Sequence, residues 1–193
     1  KPEYKDYAVT RDVEKSKALL KEAGYEEGFD ITLYAPNKPN RAKWSEILQS
    51  QLAEVGINVT IEKLEWGTYS AAVAANQAPM FLQGWTWYPD PEFFLTSFFH
   101  SNNVGTLGNG IGYDDPEVTQ WLNDAKGSTS EQSERADIYQ KVIDKVMGEY
   151  VCVPGWTTEN VSVVNGKVHG YKVFSDAGVR LVTPSGTNVW IEQ

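Results

Sequence analysis

A chain of 193 residues suits one domain, or a domain with an appendage, and 41% hydrophobic with 22% charged residues is enough to bury a core. The net charge of −9, with the basic residues scattered, argues against a nucleic-acid partner, whose phosphates need a basic face. A single cysteine, Cys152, excludes an intrachain disulfide and a cysteine-rich metal site, and no apolar run reaches the ~20 residues that cross a bilayer.

The opening Lys1-Pro2-Glu3-Tyr4 carries neither an initiator Met nor a signal peptide, so a processed or excised piece of a longer protein is expected. A helix is predicted from about Val13 to Ala23, capped by Asp12 and ended by Gly24, with Leu19 and Leu20 on its apolar side. Phe29, Ile31 and Leu33 alternate with Asp30, Thr32 and Tyr34, which is strand periodicity. After the proline-punctuated loop Ala35 to Asn40, a second helix is expected, capped by Asn40. Its inner stripe would be Trp44, Ile47, Leu48, Gln51, Leu52 and Val55. Gly56 stops it, and Ile57, Val59 and Ile61 form a second alternating strand. Glu65-Trp66-Gly67-Thr68 leads into a short helix through Tyr69 and Val73, and Met80-Phe81-Leu82 reads as a strand buried on both faces.

Strand, helix, strand, helix, strand is the pattern of parallel pairing through crossovers. In open α/β sheets ligands bind beyond the carboxyl ends of the strands. If all these strands are parallel, that edge gathers Asn37 to Arg41, Glu65 to Tyr69 and Trp85 to Asp90. The last group lies in QGWTWYPDPEFFLTSFF, Gln83 to Phe99, where Trp85, Trp87 and Tyr88 precede a stiff Pro89-Asp90-Pro91 turn. Alternate side chains on a strand point to opposite sides, so not all of these rings fit one core, and some are expected at a ligand-gripping surface.

Beyond Phe99, the glycine-rich stretch Ser101 to Tyr113 reads as a mobile surface loop or a rim. Asp115-Pro116 starts a helix with Val118, Trp121, Leu122 and Ala125 inward. A second helix begins near Ser130, with Ala136, Tyr139, Val142, Ile143, Val146, Met147 and Tyr150 as its stripe; the two should form an antiparallel hairpin packed on the sheet. Val151 to Trp156 and Val161 to Val164 read as strands, which makes Cys152 a small buried hydrophobe. From Asn165 the periodicity fades.

The chain has no GxSxG, HExxH, GxxxxGK[ST] or GxGxxG motif. His100 and His169 stand far apart and read as surface or helix-end histidines. Glu65, Asp90 and Glu92 are the carboxylates on the proposed ligand edge, and a hydrolase pairing Asp90 with Glu65 is the reading from a second functional class. The simpler role for Asp90 is to cap the helix after the turn, with Glu92 in its first turn.

Several segments in order carry a family likeness: DVEKSKALLKEAGY at 12–25, QSQLAEVGINVTIEKLEWGTY at 49–69, GWTWYPDPEFF at 84–94, GYDDPEVTQWLNDAK at 112–126, ERADIYQKVIDKV at 134–146 and VHGYKV at 168–173. Together they resemble the carboxyl-terminal lobe of the extracytoplasmic solute-binding proteins of ABC importers, in the peptide/nickel cluster (family 5). The resemblance implies an α/β lobe of the type II periplasmic-binding-protein-like fold, with a mostly parallel sheet flanked by helices. Residues 1–164 would form that lobe, and 165–193 would return to an amino-terminal lobe that this chain lacks. It implies a non-enzymatic, monomeric receptor without cofactor; bound nickel is not expected, because direct coordination would want more imidazole, carboxylate or thiolate in one place than the sequence offers. Such a receptor closes on a peptide or oligosaccharide and hands it to a membrane permease, in the periplasm or at the cell surface as a lipid-anchored protein. Trp85, Thr86, Trp87, Tyr88 and Asp90 are the expected contacts. Arg41 lies close to where some members place a carboxylate-binding arginine, and Asn37 stands beside it on the same edge. The aspartate that in peptide-binding members pairs with the solute's amino group has no counterpart in Thr86-Trp87-Tyr88-Pro89.

Overall fold

The computed structural model describes residues 10–86, 90–127, 131–157, 161–172 and 189–192. Helix α1 (Val13–Glu22) begins where Asp12 Oδ1 accepts from the Lys15 amide at 2.9 Å. It ends at Gly24, which takes the left-handed backbone (φ 85°) as a helix-terminating glycine does. No residue of α1 is buried, and Leu19 points to solvent rather than inward.

Strands β1 (Phe29–Pro36), β2 (Ile57–Leu64) and β3 (Met80–Phe81) form one sheet in the order β2-β1-β3, and both pairings are parallel. β1 and β2 run in register from Phe29↔Ile57 to Pro36↔Leu64. As the middle strand, β1 is covered on both faces towards its end, where Leu33 and Ala35 on one face have no exposed surface and Pro36 on the other is buried. β3 is shorter than expected and only half-buried.

Helix α2 (Pro39–Ala53) is capped at Lys38, not Asn40, because Pro39 already occupies the first helical position. Its inner face also differs from expectation. Ile47 is 44% exposed while Ser45 is buried, and Gln49 Nε2 turns inward to donate to the Val59 carbonyl at 2.7 Å. Polar side chains that find backbone partners have displaced part of the apolar stripe. Helix α3 (Trp66–Ala74) buries Tyr69 and Val73 as expected.

A second core stands beside the sheet. Helix α4 (Pro91–Phe99) contributes Phe99, α5 (Pro116–Gly127) contributes Val118, Leu122 and Ala125, and α6 (Gln132–Gly148) contributes Tyr139, Val142 and Val146. Arg135 Nε near the start of α6 reaches the Ala125 carbonyl near the end of α5, and Lys145 near the end of α6 reaches Asp115 before α5. The pair is therefore an antiparallel hairpin. It packs on α4, a correction to the expected packing on the sheet. Ala136 and Tyr150 face solvent rather than this core.

Asp115 caps α5, accepting from the Val118 amide at 2.8 Å, and pairs with Lys145 at 3.0 Å. The Val118 hydrogen bond, against desolvation and with help from Lys145, holds its carboxyl below the ordinary carboxylate range. A depressed folded-state pKa gives stability that is complete above the unfolded value near ~4 and lost as pH falls through the folded one. Asp115→Ala should therefore cost roughly 1 kcal/mol at neutral pH, and the difference from wild type should shrink in acid unfolding curves below about pH 4.

The loop after α4 is folded rather than a mobile surface loop. Asn109 is fully buried and serves as its hub: Nδ2 donates to the carbonyls of Tyr113 (2.8 Å) and His100 (3.3 Å), and Oδ1 accepts from the Tyr113 amide (2.8 Å). His100 does sit at a helix end, but it is buried; Nδ1 accepts from the Asn102 amide and Nε2 lies 3.3 Å from Asn123 Oδ1.

Neither 151–157 nor 161–164 is a strand. Cys152 is exposed, and Val153 and Val163 are 90% and 93% exposed. A short antiparallel ribbon follows, β4 (Val168–His169) with β5 (Trp190–Ile191), in which the rings of His169 and Trp190 stack at 4.2 Å. No helix among the described residues is long and apolar enough to cross a membrane.

Candidate functional site

Because the three strands are parallel, their carboxyl ends do share an edge. Short hydrogen bonds tie the connections there together. The Asn37 amide donates to the Leu64 carbonyl (2.8 Å), the Leu82 amide to the Tyr34 carbonyl (3.1 Å), and Gln83 Nε2 to the Leu107 carbonyl (2.8 Å). Tyr69 Oη donates to the Leu82 carbonyl at 2.8 Å. Burial pushes the Tyr69 phenol up to about 12, with the nearby Arg41 charge pulling the other way, so it remains a donor at every physiological pH.

These connections enclose a pocket of about 170 Å³. Lys38, Asn40 and Arg41 enter it from the first turn of α2, Trp66 and Tyr69 from α3, Gln83, Gly84 and Trp85 from the segment after β3, and Leu107 from the folded loop. Neither α2 nor α3 has a side-chain cap, so both present the positive end of the helix dipole here. Lys38 Nζ lies 5.5 Å from the Trp66 ring centre, and Arg41 Cζ lies 5.4 Å from that of Trp156. Arg41 runs along Gly84: a Cβ added at that glycine would overlap Nη2 and stand 3.0 Å from Cζ. No carboxylate lines the pocket among the described residues.

Of the expected contacts, Arg41 and Trp85 line the pocket, and Trp85 packs edge-on against Phe98 at 5.3 Å. Thr86 is exposed. Trp87 and Tyr88 lie outside the described residues. Asn37 is exposed beside the pocket and donates from Nδ2 to Glu65 Oε1 at 3.2 Å. Asp90 faces the helical side: Oδ1 accepts from the Glu92 amide (2.9 Å) and from Arg135 Nη2 (3.2 Å). Arg135 also reaches Tyr139 Oη at 3.1 Å. Asp90 and Glu65 are thus held by protein partners, and neither lines the pocket. Among the described residues no cluster of histidine, cysteine and carboxylate suits a metal ion. Lys38, Gly84 and Leu107 line the site without having been singled out. Lys38 lay within a stretch assigned to the ligand edge and Gly84 immediately before one, whereas Leu107 comes from a loop whose folding has no periodic signal.

A parallel sheet whose strand ends meet in a concave pocket, with no carboxylate among the described residues that line it, has the geometry of a binding lobe. The family model described as bacterial extracellular solute-binding proteins, family 5 (middle region) matches residues 1–106, more than half of the chain, and the chain belongs to that family. The family is one of extracytoplasmic transport components rather than catalysts. The dipeptide-binding protein of Escherichia coli K12 is 40% identical over 96 residues, 47% of this chain and 18% of that protein. The dipeptide-binding protein of Pseudomonas aeruginosa is 28% identical over 168 residues, 84% of this chain. The glutathione-binding protein GsiB of E. coli K12 is 29% identical over 175 residues, 86% of this chain. The chain spans 31% and 34% of the lengths of the last two. Among solved structures, the periplasmic binding protein DppA of Helicobacter pylori in complex with the peptide STSA superposes with a TM-score of 0.73 at 29% identity, covering 94% of this chain and 35% of that one. A dipeptide-binding protein from Pseudoalteromonas in complex with Met-Leu shares the fold at a TM-score of 0.77 and 23% identity, covering 96% and 37%.

Proposed function

We propose that the chain is the carboxyl-terminal lobe of an ABC importer's receptor, which captures a peptide with a free carboxylate between two lobes and delivers it to the membrane permease. The observation that carries this reading is the pocket itself. Two cations, two uncapped helix starts and two indoles converge on one concavity, with no carboxylate among the described residues that line it. In a chain of net charge −9 this is a local reversal of sign, which draws an anionic group. The Arg41 guanidinium offers a planar fork that matches a carboxylate. The peptide-binding names of the relatives support the same class of solute. The acid-free stretch Thr86 to Pro89 gives the solute's amino group no aspartate, so affinity rests on the carboxylate end and on the rings. In this reading residues 165–193 return to the opposite lobe. The whole receptor is a monomer, in the periplasm or lipid-anchored at the cell surface.

Calorimetry of the full-length protein against peptide and oligosaccharide panels tests the proposal. Peptides should release heat, and Arg41→Ala should weaken their binding by roughly 10- to 100-fold, the worth of a charge-assisted hydrogen bond. Arg41→Lys should recover only part of the loss, because it lacks the fork. Silence from peptides, or an unchanged affinity in Arg41→Ala, would sink the reading. Trp66, 52% exposed beside the pocket, favours a sugar as the second solute class, and heat from the oligosaccharides alone would transfer the assignment to it.

A further inference from the structure

We propose that Trp156 is a positioning residue that sets solute specificity: its ring holds the Arg41 guanidinium along Gly84, so that the pocket prefers a carboxylate-ended solute to its neutral counterpart. This deepens the binding role proposed above and rests on it.

Among the described residues Arg41 makes no ion pair, and none of their carboxylates fixes its head group. A long side chain with an unpaired head samples many rotamers, and a solute would have to order it on binding. The structure supplies an apolar substitute for the missing partner. The guanidinium lies over the Trp156 ring, and Trp156 stacks on Trp44 with centroids 3.9 Å apart and planes at 17°. Trp44 is three positions beyond Arg41, on the same side of α2. Arginine stacks on aromatic faces without giving up its in-plane N–H donors, so those remain available to a solute. Arg41, Gly84 and Tyr69 line the same pocket, which places the head group there.

The setting of Trp156 points the same way. It lies in 151–157, which has no helix or strand, and its neighbours Val153, Pro154 and Gly155 are exposed whereas Trp156 is half-buried. Within 152–157 it is the residue turned onto the protein, and it lands beside Arg41. The contact joins positions more than a hundred residues apart, so no local pattern announces it.

The test uses the full-length protein as wild type, Trp156→Leu and Trp156→Phe. One arm measures binding of Met-Leu and of Met-Leu amide by calorimetry. The other needs no ligand: it follows the rate at which phenylglyoxal modifies Arg41, by peptide mass spectrometry. Trp156→Leu should lose about three- to tenfold affinity for Met-Leu with little change for the amide, and Arg41 should be modified faster. Trp156→Phe, which keeps a stacking face, should restore both. Equal weakening of acid and amide, or a Phe variant no better than Leu, would reduce Trp156 to a structural pin and overturn the proposal. An unchanged modification rate in Trp156→Leu overturns it whatever binds. If wild type binds neither peptide while Arg41 reacts faster only in Trp156→Leu, the peptide reading fails and the hold on Arg41 stands.

Discussion

Gly28→Ala should destabilise the fold by roughly 3 kcal/mol or more, as the cost of a forced left-handed backbone is joined by a backbone collision. Gly28 stands just before β1 at φ 75°, and Gly56 just before β2 at φ 88°. Since β1 and β2 pair from Phe29↔Ile57 onward, the two glycines meet where the ladder starts. A Cβ on Gly28 would overlap the Gly56 carbonyl oxygen and lie 3.0 Å from Gly56 Cα, so backbone rather than a yielding side chain must move. The reverse substitution is the control. A Cβ on Gly56 would stand 3.4 Å from Gly28 Cα, an ordinary contact, so Gly56→Ala should cost only the conformational strain, about 1–2 kcal/mol. Urea unfolding of both variants checks the asymmetry, and equal losses would contradict it.

Asn109→Ala is the second large effect, expected at about 2–4 kcal/mol. The substitution removes three hydrogen bonds at a fully buried site and leaves the Tyr113 amide and two carbonyls to find new partners. Asn109→Asp sharpens the test. A carboxylate still accepts from the Tyr113 amide but cannot donate to the His100 and Tyr113 carbonyls, so at neutral pH it should fare no better than alanine. Because Leu107 of this loop lines the pocket and accepts from Gln83, both variants should also weaken solute binding beyond what a uniform loss of stability explains. Calorimetry at a temperature where each variant is fully folded separates the two effects.

The sheet was legible because alternating apolar residues separated by helical periods constrain both strand direction and order. That constraint brought Arg41, Trp66 and Trp85 to one edge before any coordinates. Three features resisted reading, each for a physical reason. The face of α2 was misplaced because Ser45 and Gln49 turn inward to backbone partners while Ile47 points out, so hydropathy does not mark the buried side. Ser101 to Tyr113 looked loose because its order comes from one buried amide side chain, which has no period. Val151 to Val164 has strand-like alternation, but a strand exists only where another supplies its hydrogen bonds, and no partner pairs with it among the described residues. Trp156 was invisible for the same reason, since its role depends on where that stretch happens to lie.

The three connections around the pocket differ greatly in length. Only residues 37–38 separate β1 from α2, and only Glu65 separates β2 from α3, whereas residues 82–90 lie between β3 and α4. Two corners are therefore dictated by the sheet, and little but the identity of a side chain can be altered there without disturbing the ladder. The third is anchored at Leu82, Gln83, Trp85 and Asp90 by its contacts with Tyr34, Leu107, Phe98 and Arg135, and its greater length leaves more positions at which sequence can vary. In the receptor proposed above, a frame of this kind would keep one means of gripping charge while cargo of new bulk is met by changes within a single span.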